Sequence, residues 1–161
     1  MTANTAAPKV DSKFETIPAP NPDTAAVAAR LRLSATRLAR RLRQESDAPL
    51  TPSQLTALAS IERHGPITLG ALAERERIAP PSVTKVVTKL EAAGLVARRL
   101  DDADRRVAWV SITATGAALL SKIRQRKTAW LASRLARLDA EQVRCIADAL
   151  DALESLMDDP S

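Results

Sequence analysis

The side-chain pattern of this chain changes period at Gly94, and that change limits the folds open to it. Before Gly94 the apolar residues recur every three or four positions. After it, L-V-A-R-R-L (95 to 100), a polar turn D-D-A-D-R-R (101 to 106) and V-A-W-V-S-I (107 to 112) run in near alternation, and beyond Thr113 helical spacing returns. Period 3.6 turns one face of a helix to a core; period 2 turns one face of a strand. The pattern therefore sets one β-hairpin with a charged tip into an otherwise helical chain. Aromatic content agrees: only Phe14, Trp109 and Trp130 occur, with no tyrosine, so a core must be built from Leu, Val, Ile and Ala. Such a core suits packed helices better than aromatic-rich sheets, and 161 residues suffice for one ordinary domain.

Capping signals divide the helical part. Residues 1 to 22 hold Pro8, Pro18, Pro20 and Pro22 without periodicity and read as a disordered tail. Asp23 is a candidate N-cap for a helix through about Glu45, with Val27, Leu31, Ser34, Leu38 and Leu42 at helical spacing. T-P-S-Q at 51 to 54 combines a cap, a first-turn proline and a capping-box glutamine. It opens a second helix carrying Leu55, Leu58 and Ile61 and ending at His64-Gly65. Pro66 breaks that helix, Ile67 permits a very short extended segment, and Thr68 caps a two-turn helix with Leu69, Leu72, Ala73 and Ile78. Pro80-Pro81-Ser82 opens a fourth helix, about 81 to 93, with Val83, Val86, Val87 and Leu90 as its apolar stripe and Gly94 as a left-handed terminator. Thr113 caps a long helix to about 138, with Leu120, Ile123, Leu131, Leu135 and Leu138 on one face. A second capping box, Asp139 to Gln142, opens a last helix carrying Val143, Ile146, Leu150, Leu153 and Met157.

Short helix, short helix, hairpin is the order of a winged helix-turn-helix, in which the second helix of the pair enters the major groove and the hairpin lies beside it. The predicted fold class is thus mainly α with a small β-hairpin wing and a helical dimerisation region. The outer side of helix 81 to 93 carries Ser82, Thr84, Lys85, Thr88 and Lys89, hydroxyl and amine groups suited to base edges and phosphates. An ordinary solvent face would more typically carry Glu/Lys pairs four residues apart. Asp104-Arg105-Arg106 puts arginines at the end of a two-stranded lever, as a minor-groove probe needs, and an Asp104 ion pair would hold Arg106 in one rotamer. The alternative is an ordinary charged turn. Charge supports the first reading: residues 139 to 161 carry −6, and the first 138 carry +11, a basic body suited to a polyanion.

The run S-V-T-K-V-V-T-K-L-E-A-A-G-L-V-A-R-R (82 to 99), followed by D-D-A-D-R-R (101 to 106) and V-S-I-T-A-T-G (110 to 116), resembles the MarR family of bacterial transcriptional regulators. The resemblance covers about residues 25 to 158. It implies a homodimer whose first and last helices interdigitate, with two winged lobes reading a pseudo-palindromic operator, and in most such proteins a repressor released by a small aromatic or anionic effector. The family's D-x-R wing motif falls on Asp104 and Arg106, and its recognition contacts on Ser82, Thr84, Lys85 and Thr88, with Lys85 where the family often has arginine. Pro80-Pro81 departs from the pattern and shifts the helix start by a residue or so.

The residues themselves also call for a dimer. The apolar sides of helix 23 to 45 and of helix 143 to 157, with Val27, Leu31, Val143, Ile146, Leu150 and Leu153, have no partner within one winged lobe, and a two-fold axis would cover both. The expected division is a tail at 1–22, a dimerisation helix at 23–50, a DNA-binding lobe at 51–112 and dimerisation helices at 113–158. His64, at the end of the second helix, with Arg37 and Arg41, forms a candidate effector site; the alternatives are a dipole-favoured helix cap for His64 and a solvent-facing role for the arginines. Cys145, near a helix N-terminus and beside Arg144, is either a redox-sensitive thiol or, the favoured reading, a small buried or half-buried side chain. Trp109 and Trp130 read as packing residues.

One histidine and one cysteine leave no internal disulfide, no Cys cluster and no multi-histidine metal site within the chain, so the sequence predicts a non-enzyme without cofactors. No apolar run approaches the roughly 18 to 20 residues that span a bilayer, and the N-terminus lacks an export pattern. A cytoplasmic protein with no membrane partner is expected. The competing class is a basic helical module, resting on Arg30, Arg32, Arg37, Arg40, Arg41 and Arg43, that lies on an anionic membrane or binds a protein without reading DNA. Those arginines occupy several faces, whereas a membrane helix shows one wide apolar face.

Overall fold

The structure, a computed structural model, describes residues 21–157 apart from position 106. Helix α1 spans Pro22–Glu45 and α2 Pro52–His64. Strand β1 (Ile67–Thr68) leads into α3 (Leu69–Glu76) and α4 (Pro80–Ala92). The hairpin is β2 (Val96–Leu100) and β3 (Ala108–Ile112), and α5 (Ala114–Leu135) and α6 (Ala140–Ser155) complete the chain. The fold is mostly helical with a three-stranded antiparallel sheet, as the change of period at Gly94 requires. By its contacts the chain divides into two units, one ending at Leu38 and one beginning at Ala39.

Caps set most element ends. Both capping boxes form: Thr51 and Gln54 exchange hydrogen bonds of 2.8 and 3.3 Å, and Asp139 and Gln142 bonds of 3.2 and 2.8 Å. Thr68 caps α3, accepting from the Ala71 N–H. Asp23, the expected cap of α1, is instead inside the helix. The Asn21 carboxamide accepts from the Asp23 N–H at 3.1 Å, and Pro22 takes the first helical position, where its missing N–H costs nothing. Pro22 thus belongs to the helix rather than to the predicted tail, of which residues 1–20 lie outside the described residues. Helix α4 likewise starts at Pro80 rather than 81, and α5 ends at Leu135 rather than 138, its last turn closing through Arg137 and Leu138 N–H groups on Arg134 and Leu135 carbonyls.

The core belongs to the unit that begins at Ala39. Leu58 and Ile61 of α2, Leu72 of α3, Val83, Val87 and Leu90 of α4, Val110 of β3 and Leu120 of α5 are all essentially inaccessible. Strand β3 is central in the order β1-β3-β2, with Ile67 opposite Val110 and Val96 opposite Ile112. The two-residue β1 gives the hairpin a third strand. Sequence pattern showed Ile67 as extended but not its pairing, because two residues carry no periodicity.

Helix α4 ends in a Schellman motif. Gly94 has φ +69°, its N–H bonds the Glu91 carbonyl and the Leu95 N–H bonds the Leu90 carbonyl, with Leu90 and Leu95 both in the core. Thr113, capping α5, locks this turn from the other side: its N–H donates to the Leu95 carbonyl at 3.1 Å and its hydroxyl to the Gly94 carbonyl at 2.7 Å. Gly116 allows the approach, since a Cβ built there would collide with the Leu95 carbonyl oxygen.

Replacing Gly116 by alanine should therefore lower stability by about 1–3 kcal/mol through overpacking against backbone, read as a lower urea midpoint. Gly70, inside α3 with open space around its missing Cβ, is the control. Gly70→Ala should raise stability by about 0.4–1 kcal/mol, because only the unfolded chain loses freedom.

Candidate nucleic-acid interface

Helix α4 has two opposite faces. Val83, Val87 and Leu90 are buried, while Ser82, Thr84, Lys85, Thr88 and Lys89 are all exposed. The buried stripe packs on α2 and α3, which fixes α4 and holds its polar face outward. Three of these side chains end in hydroxyls and two in ammonium groups, on a helix with no carboxylate before Glu91. The surface can donate to phosphates and base edges without a competing anion on its first two turns. The Thr84 hydroxyl already donates to the Pro80 carbonyl at 3.1 Å.

The wing is built around a residue that the sequence did not single out. The Asp101 carboxylate accepts from the Trp109 indole Nε1 at 2.9 Å, from the Ala103 N–H at 2.9 Å and from the Asp104 N–H at 3.0 Å. Its own N–H donates to the Val107 carbonyl, and the Val107 N–H to the Asp104 carbonyl. The indole bond, then the Asp104 and Ala103 amides, and last the Arg99 charge hold the Asp101 pKa below its ordinary 3.8. Trp109, expected to be a packing residue, is therefore also the strand's anchor for the wing tip. Asp104 and Arg105 sit on the turn so ordered; Arg106, with its predicted Asp104 ion pair, lies outside the described residues. The signal in the sequence was an aspartate at the first position of the tip turn, a place that favours side-chain-to-backbone turns.

Arg98 was also missed. It leaves β2 on the side facing α4, half buried, and reaches Thr88 and Glu91. Its place in V-A-R-R-L gave the signal, because alternation from Val96 puts residue 98 on the inward face.

The His64 ring Nδ1 lies 3.1 Å from the Ser60 carbonyl of its own helix, and its side chain lines an open cavity of about 350 Å³ with Thr56, Arg63 and Glu76. Arg41 pairs with Glu45 one turn away at 2.9 Å. Arg37 is an exposed residue of α1. Cys145 is exposed rather than buried or half-buried, on a helix, α6, that has no buried residue. Trp130 takes the Arg134 guanidinium over its ring at 5.2 Å. Among the described residues no group of three or more His, Cys, Asp or Glu side chains is arranged to hold a metal, and no helix is long and apolar enough to cross a membrane.

Comparison with known proteins agrees with this geometry. The family model described as the MarR family matches residues 50–108, from the start of α2 to the first residue of β3. An uncharacterized HTH-type transcriptional regulator of Mycobacterium bovis is 38% identical over 136 residues, covering 84% of this chain and 95% of that protein. The chain belongs to the MarR family. Its MarR fold is shared by the crystal structure of a transcriptional regulator protein from Pseudomonas aeruginosa, with TM-score 0.80 and 32% identity over 88% of this chain and all of that one. A relative with a more definite name is the HTH-type transcriptional repressor MdtR of Bacillus subtilis, 34% identical over 58% of this chain and 61% of its own length. The chain is accordingly an HTH-type transcriptional regulator, and its family and relatives are regulators rather than enzymes.

The Asp101 network has a pH dependence of known sign. A carboxylate with a lowered folded-state pKa contributes order above its unfolded pKa and loses it as pH falls through the folded one. The Trp109 indole N–H resonance should therefore stay fixed down to about the ordinary value of 3.8 and shift only below it. Asp101→Ala should remove that titration and speed exchange of the Ala103 and Asp104 amides at neutral pH.

Proposed function

We propose that this regulator is a repressor that binds a pseudo-palindromic operator as a homodimer and is released by a small aromatic or anionic effector. The observation that carries the reading is the polar face of α4, exposed over a buried apolar stripe and flanked by a wing whose tip is internally braced. In this reading Ser82, Thr84, Lys85, Thr88 and Lys89 meet the major groove and neighbouring phosphates. Asp104, Arg105 and Arg106 form the minor-groove probe of the wing. Residues 51–112 act as the DNA-binding lobe.

The dimer is supported by apolar surface with no cover in a single chain. Helices α1 and α6 have no buried residue, and Val27, Leu31, Val143, Ile146, Leu150 and Met157 are all exposed; Leu153 is half buried. Apolar rows left exposed on two helices mark an interface. We assign residues 23–50 and 113–158 to dimerisation, which would place two recognition helices about 34 Å apart to meet successive major-groove faces. Repression is favoured by the name of MdtR. For the effector, His64 borders a cavity between α2 and α3; Arg37 and Arg41 of α1 are further candidate contacts for a carboxylate or phenolate.

The test is selection of bound duplexes from genomic fragments at about 150 mM salt with excess competitor, where charge-only binding fades. An inverted repeat with half-sites about one helical turn apart is the expected product. Arg106→Ala should weaken operator binding by about 1–3 kcal/mol, and Lys85→Ala should reduce discrimination between operator and random duplex. Light scattering should give twice the 17.3 kDa chain mass at micromolar concentration; the monomer mass there would contradict the dimer.

A further inference from the structure

Thr84, Thr88 and Glu91 follow one another along a single row of α4, at spacings of four and three. The two threonines differ in how their hydroxyls are used. That of Thr84 donates to the Pro80 carbonyl, so what it turns outward is lone pairs and a methyl group. Thr88 makes no such bond to its own helix among the described residues. Its oxygen instead accepts from Arg98 Nη2 at 3.5 Å, and its hydroxyl hydrogen is left for another acceptor.

The sheet register explains why Arg98 is there. It pairs with Val110, the inaccessible centre of β3, so its side chain leaves β2 toward α4 and not toward solvent. The guanidinium lies between Thr88 and Glu91, with Nε enclosed and 3.5 Å from the Glu91 carboxylate, a Coulombic pairing without a directional hydrogen bond. Arginine does not lose its charge, and its donors are fixed in one plane, so the group that meets Thr88 is always a donor.

We propose that Arg98 is a positioning residue for base recognition: it occupies one of the two lone pairs of Thr88 and sets a fixed positive charge beside its oxygen, which favours the Thr88 hydroxyl as a hydrogen donor over an acceptor, while Thr84, one turn earlier, has its hydrogen engaged and presents an acceptor. The proposal rests on the reading of α4 as the recognition helix. Major-groove acceptors are guanine N7 and O6, adenine N7 and thymine O4, whereas cytosine shows only its N4 amino donor. Thr88 then discriminates against cytosine at the base it meets, and Thr84 favours an amino group of cytosine or adenine.

The experiment is selection of bound duplexes from a random pool by the wild-type chain, by Arg98→Met, which keeps the aliphatic stem, by Thr88→Val and by the double variant. Folding is followed by thermal melting, and affinity is measured over a range of salt. The wild type should reject cytosine at one step of each half-site. Arg98→Met and Thr88→Val should each lose roughly tenfold discrimination at that same step, with no further loss on combination and with preferences elsewhere unchanged; Arg98→Met should also leave nonspecific affinity and salt slope unchanged. Wild-type preference retained by Arg98→Met, or a loss spread over all positions, would overturn the proposal. So would a salt slope smaller by about one, which would make Arg98 itself a phosphate contact. Should Arg98→Met not fold, Thr88→Val decides alone: an unchanged rejection of cytosine overturns the assignment, and its loss at one step upholds it. A wild type that selects no sequence would defeat the reading of α4 itself, an outcome distinct from all of these.

Discussion

Thr113 stands where α4, the hairpin and α5 meet, and its two hydrogen bonds hold them in one arrangement. Its N–H and hydroxyl end on the carbonyls of Leu95 and Gly94, groups just past the end of α4, while its oxygen also accepts from the Gly116 N–H to start α5. Gly94 has the positive φ that reverses the chain out of α4, and Gly116 has no Cβ to keep α5 from the Leu95 backbone. Without this junction the hairpin would pivot on a helix end, and α5 would have no fixed angle to the lobe. The position of α4 is thereby tied to the helix beyond it.

Order at the wing depends on a different kind of interaction. The hairpin tip is polar, and its strands contribute few buried side chains, so packing alone does not fix it. The Asp101 carboxylate substitutes for packing by gathering an indole N–H and two backbone amides into one acceptor. Arg99 bonds Asp102 at 3.4 Å with both side chains well exposed, a pair worth little beside the Asp101 bonds. Both the wing and α4 thus have one buried or braced side and one side free for a polyanion. Arg98 lies between them, tying the inward face of β2 to the row of α4 that carries Thr88 and Glu91.

Most of the fold was legible because the chain marks its element ends locally. Thr51, Thr68, Thr113 and Asp139 are side chains that cap their own helices, and Gly94 stops α4 for a reason visible in one residue. The exposed set on α4 was legible for a similar reason: 3.6-residue periodicity separates Val83 and Val87 from Ser82, Lys85 and Lys89 without any knowledge of what packs on the helix. What was illegible required contact between distant positions. Asp101 meets Trp109 only after the hairpin closes, and Arg98 meets Thr88 only once the strand register is set. The end of α5 misled because Leu138 keeps the helical spacing past the point where Asp139 must leave the helix to cap the next one. Asn21 was overlooked as a cap because Asp23 is equally competent, and the choice between them is made by Pro22 accepting the first helical position.

The burial pattern also shows where single-chain physics stops. Every residue of the hydrophobic core lies between Ala57 and Ile123, yet α6 keeps a regular apolar row, Val143, Ile146 and Leu150, in the open. Exposed apolar residues scattered singly are ordinary, but a row at spacings of three and four on a well-capped helix is the pattern of a covered face. The surface of α6 is moreover acidic, with Glu141, Asp148, Asp151 and Glu154, whereas the basic excess of the chain lies before residue 139. A chain that binds a polyanion keeps its acidic helix away from the phosphates. In the proposed dimer α6 does so by lying at the two-fold axis, so that negative charge gathers far from the groove and the two α4 helices are set outward. In the proposed mechanism a ligand would release DNA only by binding more tightly to a dimer whose lobes are wrongly spaced. The junction at Thr113 makes that possible, since a change in α5 reaches α4 through two hydrogen bonds and one close backbone contact.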